Sequence, residues 1–277
     1  MTQWILENAG ALRIGSFLAV LTGFALLEAW RPRRVRALRR GPRWVAHAAL
    51  VLMGAAGARL IVPAGAVGAA LHAERSGTGL LDLAGAPEWL AWLVSLAALD
   101  LAIYAQHRIF HSVPLLWRLH ALHHADRDLD ASSGVRFHPG EIVVSLLWKV
   151  AVVWLLGAPA AAVVLYEALL ACASVATHAN LELPAGLERV ARVALVTPDL
   201  HRVHHSVHHD ESNSNFAAVT PLWDRLFGSF RAEPRDGQRG MRLGLLGPDE
   251  LGGAAGAGGE GDAEDRRRPV RGESDQG

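Results

Sequence analysis

The stretch HRIFHSVPLLWRLHALHH, residues 107–124, constrains this chain's fold more than any other. Five of its residues are histidine, at 107, 111, 120, 123 and 124, out of 14 in 277 residues, and a second cluster, HRVHHSVHH, fills 201–209. On a helix His107 and His111 stack one turn apart, and His120 lies one turn before His123 and His124. Pro114 falls where a new helix can begin, since the first turn has no use for the N–H it lacks. Thr197-Pro198-Asp199 supplies an N-cap, a first-turn proline and an acidic first turn, which predicts a helix presenting His201, His204 and His205 on one face. Two H-x-x-H-H boxes and one H-x-x-x-H box thus offer eight imidazoles from three short helical pieces.

Eight neutral imidazoles exceed what one ion needs, so the economical reading is two metal ions in a nitrogen-rich cage. Imidazole suits iron, zinc, copper and nickel, and the ligand type alone does not choose among them. Cys172 is the one cysteine, which excludes zinc-finger thiolates, a disulfide framework and a self-contained iron–sulfur cluster. No Glu has a His three residues later, as soluble di-iron bundles require, and H-E-x-x-H is absent. Two other classes fit a histidine-rich membrane chain: a non-catalytic metal transporter or sensor, and a zinc-dependent membrane hydrolase. The first would spread polar residues through several spans, and the second would need a general base beside an open single-metal site.

The composition is 51% hydrophobic with mean hydropathy +0.20, concentrated in long apolar runs, which points to a membrane protein. Residues 11–30 form the first run. It lacks a basic n-region and a small-residue cleavage site, so a retained span is expected rather than a signal peptide. Residues 31–43, RPRRVRALRRGPR, hold seven arginines and no acid. Between apolar segments this reads as a cytoplasmic loop rather than a nucleic-acid site, with Trp30 and Trp44 as interfacial anchors. The second run, 44–71, is interrupted by Arg59 and Pro63. A loop is expected over 77–88, then a third span, 89–106, leads into His107. Two apolar stretches within 141–178, broken by Gly157-Ala158-Pro159, predict a hairpin in the bilayer, the first being short for a span and carrying Lys149.

With the arginine loop cytoplasmic, this count of spans delivers both boxes to the cytoplasmic face. An odd number of spans between them would separate the ligands by the ~30 Å of hydrocarbon. The expected fold is all-α: an integral membrane bundle of four to five transmembrane or re-entrant helices with a cytoplasmic histidine-rich helical cap. Three segments follow: residues 1–94 with the first spans and the arginine loop, 95–231 with the catalytic domain, and 232–277. The last turns to Gly, Ala, Asp, Glu and Arg and reads as a solvated tail.

The series H-R-I-F-H, W-R-L-H-A-L-H-H, T-P-D-L-H-R-V-H-H-S and N-F-A-A-V-T-P-L-W-D-R-L-F-G-S-F resembles the fatty acid hydroxylase and sterol desaturase superfamily over about residues 100–230. The resemblance implies two non-haem irons that activate O₂ to hydroxylate or desaturate a lipid C–H bond of an acyl chain, sterol or ether lipid. It implies a ninth ligand, His178 in T-H-A-N, beside His107, His111, His120, His123, His124, His201, His204 and His205. A separate electron donor, a ferredoxin, b-type cytochrome or reductase, is then required.

Asp100 lies inside the third span, where a charge is expensive, and so orients a metal-bound imidazole or makes a packing hydrogen bond. His138 in R-F-H-P is a candidate extra ligand or supporting donor, and Asn213 and Asn215 are candidates to cap a helix or hydrogen-bond near the metals. Tyr104, Gln106 and Arg136 are weaker candidates, Arg136 for a carboxylate or headgroup. His47 and His72 stay outside the site, His208 and His209 are read as surface residues or as supports behind the ligands, and Trp223 to Gly228 is read as a docking segment.

Overall fold

A computed structural model of the chain describes residues 1–245. Among these residues there is no strand, only two isolated bridges, and the fold is all-α. In chain order the helices are α1 (Thr2–Glu7), α2 (Ala9–Trp30), α3 (Arg40–Ile61), α4 (Gly65–Ser76), α5 (Leu80–Leu83), α6 (Glu88–Ser112), α7 (Pro114–His124), α8 (Pro139–Leu156), α9 (Ala160–His178), α10 (Ala185–Ala194), α11 (Pro198–His204), α12 (His209–Ser212), α13 (Leu222–Leu226) and α14 (Gly237–Gly240). A 3₁₀ turn spans Ala131–Val135.

Prolines set most of the boundaries. Residues before a proline disfavour the helical region, and α2, α3 and α6 end just ahead of Pro32, Pro63 and Pro114. Pro114, Pro139 and Pro198 then occupy the first turns of α7, α8 and α11. Five segments, Ala9–Trp30, Arg40–Leu83, Glu88–Ser112, Pro139–Leu156 and Ala160–His178, are long and apolar enough to cross a membrane. The interruption expected at Pro63 in the second apolar run divides α3 from α4, with Arg59 donating to the Pro63 carbonyl. One expectation needs correction. The loop expected over 77–88 contains the one-turn α5.

Helix α9 is the centre of the bundle. Half of its most apolar window is buried, against none of the corresponding window in α2. Ala160, Ala161 and Ala162 let neighbouring helices approach closely. The α8–α9 hairpin closes at Gly157, whose φ of 71° and contact with Gly79 leave no room for a side chain. Ala66, Ala70, Leu99, Val153, Val163 and Tyr166 form the main core. A second cluster of Tyr104, Val196, Leu200, Phe216 and Ala217 fastens the C-terminal block to α6.

Composition placed the start of a solvated tail at 232, but residues 232–245 lie on the domain. Met241 and Leu243 pack with Leu129. The Arg34 guanidinium donates to the carbonyls of Gln238 and Met241 at 2.8 and 2.6 Å. An apolar pair and an arginine clamp outweigh an otherwise polar composition. Residues 246–277 of the expected tail lie outside the described residues. The arginine run is internally engaged as well, with Arg33 paired to Glu182 and Asp199, Arg40 to Glu28, and Arg43 to Asp126 and Asp130.

Candidate metal centre

Helix α6 continues from the bundle past His107 and His111, α7 turns back beside it, and α9 and α11 close the other sides. Nine imidazoles meet there in two groups. His107, His111, His120, His124 and His204 form a group of five, and His123, His178, His201 and His205 form a group of four. Within each group every candidate ligand nitrogen lies within 4.8 Å of the others. Both α7 and α11 supply both groups, since three- and four-residue spacings put His120 and His124 on one side and His123 on the other. All are buried except His107, which is partly so.

The nitrogens facing inward are acceptors. A carbonyl can only accept, so His107, His178 and His204 must each carry a proton on Nδ1, donated to Phe216 O, Ser174 O and Ser214 O at 2.7, 2.6 and 2.7 Å. His123 Nδ1 donates likewise to Arg136 O at 3.3 Å. Their Nε2 atoms are therefore lone pairs. They crowd one another all the same: His123 and His178 Nε2 lie 3.0 Å apart, His178 and His201 3.2 Å, His201 and His205 3.3 Å, and His107 and His120 3.0 Å. Nε2 of His111, His124 and His204 is buried with no protein partner. Convergent lone pairs at such distances repel unless a cation lies among them, so the residues fit metal ions.

Electrostatics agree. Burial first, then the neighbouring imidazoles, holds His123, His124, His201 and His205 well below the usual histidine range, and His204 is lowered to about 3 by burial. These rings are neutral at physiological pH, the form that binds metal.

Glu141, missed in the sequence reading, belongs to the centre. Its Oε1 accepts from His120 Nδ1 at 2.7 Å, and its Oε2 is buried without a partner. The available signal was an acid in the first turn of α8, three residues after His138. Several other candidates have structural employment. Asp100 accepts from Tyr166 and Trp223 at 3.2 and 2.8 Å, tying α6 to α9 and α13. His138 is the N-cap of α8, accepting from Gly140 N, and is in neither group. Asn215 sits at φ 51° and bonds Leu200 O, Arg231 O and Arg231 N, which fixes the neighbouring Phe216 carbonyl used by His107. Asn213 bonds His209 O on the surface, and Tyr104 bonds Ser229. Arg136 donates to Leu122 O and to His47. His47 is buried against Ser132, His208 pairs with Asp236, and neither His209 nor His72 is in a group.

A cavity of about 420 Å³ reaches from the imidazoles into the helices. Ile103, Phe110, Phe137, Ile142, Leu146 and Leu170 give it a mainly apolar wall, and His107, His120, His123, His178 and His201 stand at one end. Its size and lining are those of a small-molecule site.

The fatty acid hydroxylase family model matches residues 92–229, which include every one of the nine imidazoles. Among curated proteins, an ornithine lipid hydroxylase, OlsE, of Rhizobium tropici is 33% identical over 147 residues, 52% of this chain and 42% of that protein. Human alkylglycerol monooxygenase is 30% identical over 142 residues, 51% of this chain and 31% of the relative. Rat cholesterol 25-hydroxylase is 26% identical over 143 residues, 51% and 47%. The matched stretch thus spans less than half of each relative. No solved structure matches the chain significantly.

Proposed function

The chain belongs to the fatty acid hydroxylase family, and from that premise we propose that it is a membrane-embedded di-iron oxygenase that hydroxylates a C–H bond of a lipid. The observation that carries this reading is the pair of imidazole groups at one end of an apolar cavity walled by membrane-length helices. The group of five and the group of four would each hold one iron, and the bound pair would supply O₂ activation and the oxidising power to attack an unactivated C–H bond.

The chain's own residues do the rest. Phe216, Ser214, Ser174 and Arg136 carbonyls and the Glu141 carboxylate fix the rings of His107, His204, His178, His123 and His120 and keep their inward nitrogens free of a proton. The apolar wall holds the substrate and excludes water. Hydroxylation is favoured over desaturation because the relatives are named hydroxylases and monooxygenases. Their named lipids suggest an amino-acid lipid, an ether lipid or a sterol as the substrate range. Electrons come from a separate protein, a ferredoxin, b-type cytochrome or reductase. The arginine-rich segment supports a cytoplasmic position for the centre under the positive-inside rule. Arg39→Cys, at an exposed position of that segment, should then label only from the cytoplasmic side.

Metal analysis of anaerobically purified protein tests the reading. About two irons per chain, O₂ consumption with a supplied donor, and a lipid product heavier by one oxygen are expected. One zinc and no O₂ use would make this a hydrolase or a binding protein instead.

A further inference from the structure

The face of α8 that lines the cavity carries Glu141, Ser145 and Lys149 at four-residue intervals, so polar groups recur about every 6 Å along the helix axis. The first rung is engaged by His120 through Glu141 Oε1, with Oε2 left without a protein partner, and the third by Glu167 at 2.8 Å. The middle rung is incomplete too. Gln106 Nε2 donates to Ser145 Oγ at 2.5 Å, while Gln106 Oε1 is buried with no partner. Gln106 is only 9% exposed, and what it lines is the cavity itself.

A buried amide oxygen is costly to leave unpaired, and folded proteins retain few such atoms. This one adjoins His107 in sequence, and Ser145, which holds its amide, lies one helical turn, about 6 Å along α8, from Glu141. A plain hydrocarbon chain passing this point would leave the oxygen unsatisfied. Resting on the oxygenase reading above, we propose that the cavity takes a lipid bearing a hydrogen-bond donor, a hydroxyl or an amide N–H, a few bonds from the carbon presented to the imidazoles, and that Gln106 Oε1 accepts from it. Gln106 is then a specificity-determining residue that reads the substrate's polar group and sets which carbon meets the centre.

The test uses the full-length metal-loaded protein in nanodiscs and two probe pairs. One is 1-O-hexadecylglycerol against its di-O-methyl ether. The other is N-hexadecanoylglycine methyl ester against its N-methyl derivative. In at least one pair the unmethylated member should bind roughly ten-fold tighter, and the pair that shows the gap identifies hydroxyl or amide. Gln106→Met should close the gap by weakening the unmethylated probe alone. Equal binding within both pairs by the unaltered protein overturns the proposal, and this measurement needs no variant. A gap that survives Gln106→Met overturns it equally. O₂ consumption by the same samples with a supplied electron donor keeps the two claims apart: a gap without O₂ use sinks the oxygenase reading, while O₂ use without a gap sinks the role of Gln106.

Discussion

In the group of five, His120 gives its Nδ1 proton to a carboxylate, Glu141 at 2.7 Å, whereas in the group of four His123 and His178 give theirs to backbone carbonyls, Arg136 O and Ser174 O. No carboxylate is among the members of either group. The group of five therefore has one more imidazole and a carboxylate hydrogen-bonded directly to one of its rings, and the group of four has neither. Charge and ligand count both favour tighter metal binding by the five. The same helices serve both groups, so the difference comes from what stands behind the rings, not from the boxes themselves.

Removing one imidazole tests the contrast most severely. His178→Ala leaves three ligands in its group and should lower iron from about two to about one per chain, with activity falling by at least about 100-fold. His111→Ala leaves four in its group, and both ions should stay with weaker retention. Elemental analysis after gel filtration reads both, and equal iron loss in the two variants would erase the asymmetry. Glu141→Gln comes next. Losing a carboxylate behind a ligand typically costs about 10–100-fold in metal affinity or activity, and the loss should fall on the group of five. Chelator-driven release should show one accelerated phase and one unchanged phase.

The spans and the convergence of the boxes were legible because both rest on local periodicity. The apolar run ending at Gln106 continues straight into His107 on α6, as the sequence suggests, and α7 and α11 start at their prolines. What escaped depends on pairs far apart in the chain. Glu141 meets His120 from 21 residues away, and Arg43 meets Asp126 and Asp130 from 83 and 87. Carbonyl oxygens such as those of Phe216 and Ser214 have no side-chain signature at all. The packing of residues 232–245 was hidden for a related reason: a polar segment is ordered when distant arginines and a small apolar cluster receive it.

Gly134 offers a way to disturb the group of four alone. A Cβ there would meet Ser174 O at 2.3 Å, and that oxygen accepts from His178 Nδ1 at 2.6 Å. Gly134→Ala should cost about 1–3 kcal/mol of stability through overpacking and loosen the iron held by the four, leaving the iron of the five in place. A melt with metal analysis on the same samples separates the two effects. Loss from the five would mean that the groups are coupled through α7 and α11 rather than braced separately.

The smallest expected effect lies behind the group of five. Asp224 accepts from Phe216 N at 2.8 Å, Ala217 N at 3.0 Å and Ser229 Oγ at 2.8 Å, and so holds the carbonyl that orients His107. Burial raises its pKa from the ordinary 3.8 to about 6, although these donors pull the other way. A raised carboxyl favours the protonated folded state, so its contribution is complete below about pH 4 and is lost as pH rises through about 6. Asp224→Asn has no proton to lose, and its NH₂ faces a backbone donor, for a deficit of about 1 kcal/mol. The gap by which the variant melts below the unaltered protein should be largest at pH 4 and should shrink or change sign by pH 7, because only the aspartate then bears the cost of a buried charge. A gap that is constant or widens toward pH 7 would show that Asp224 is not the titrating support of His107.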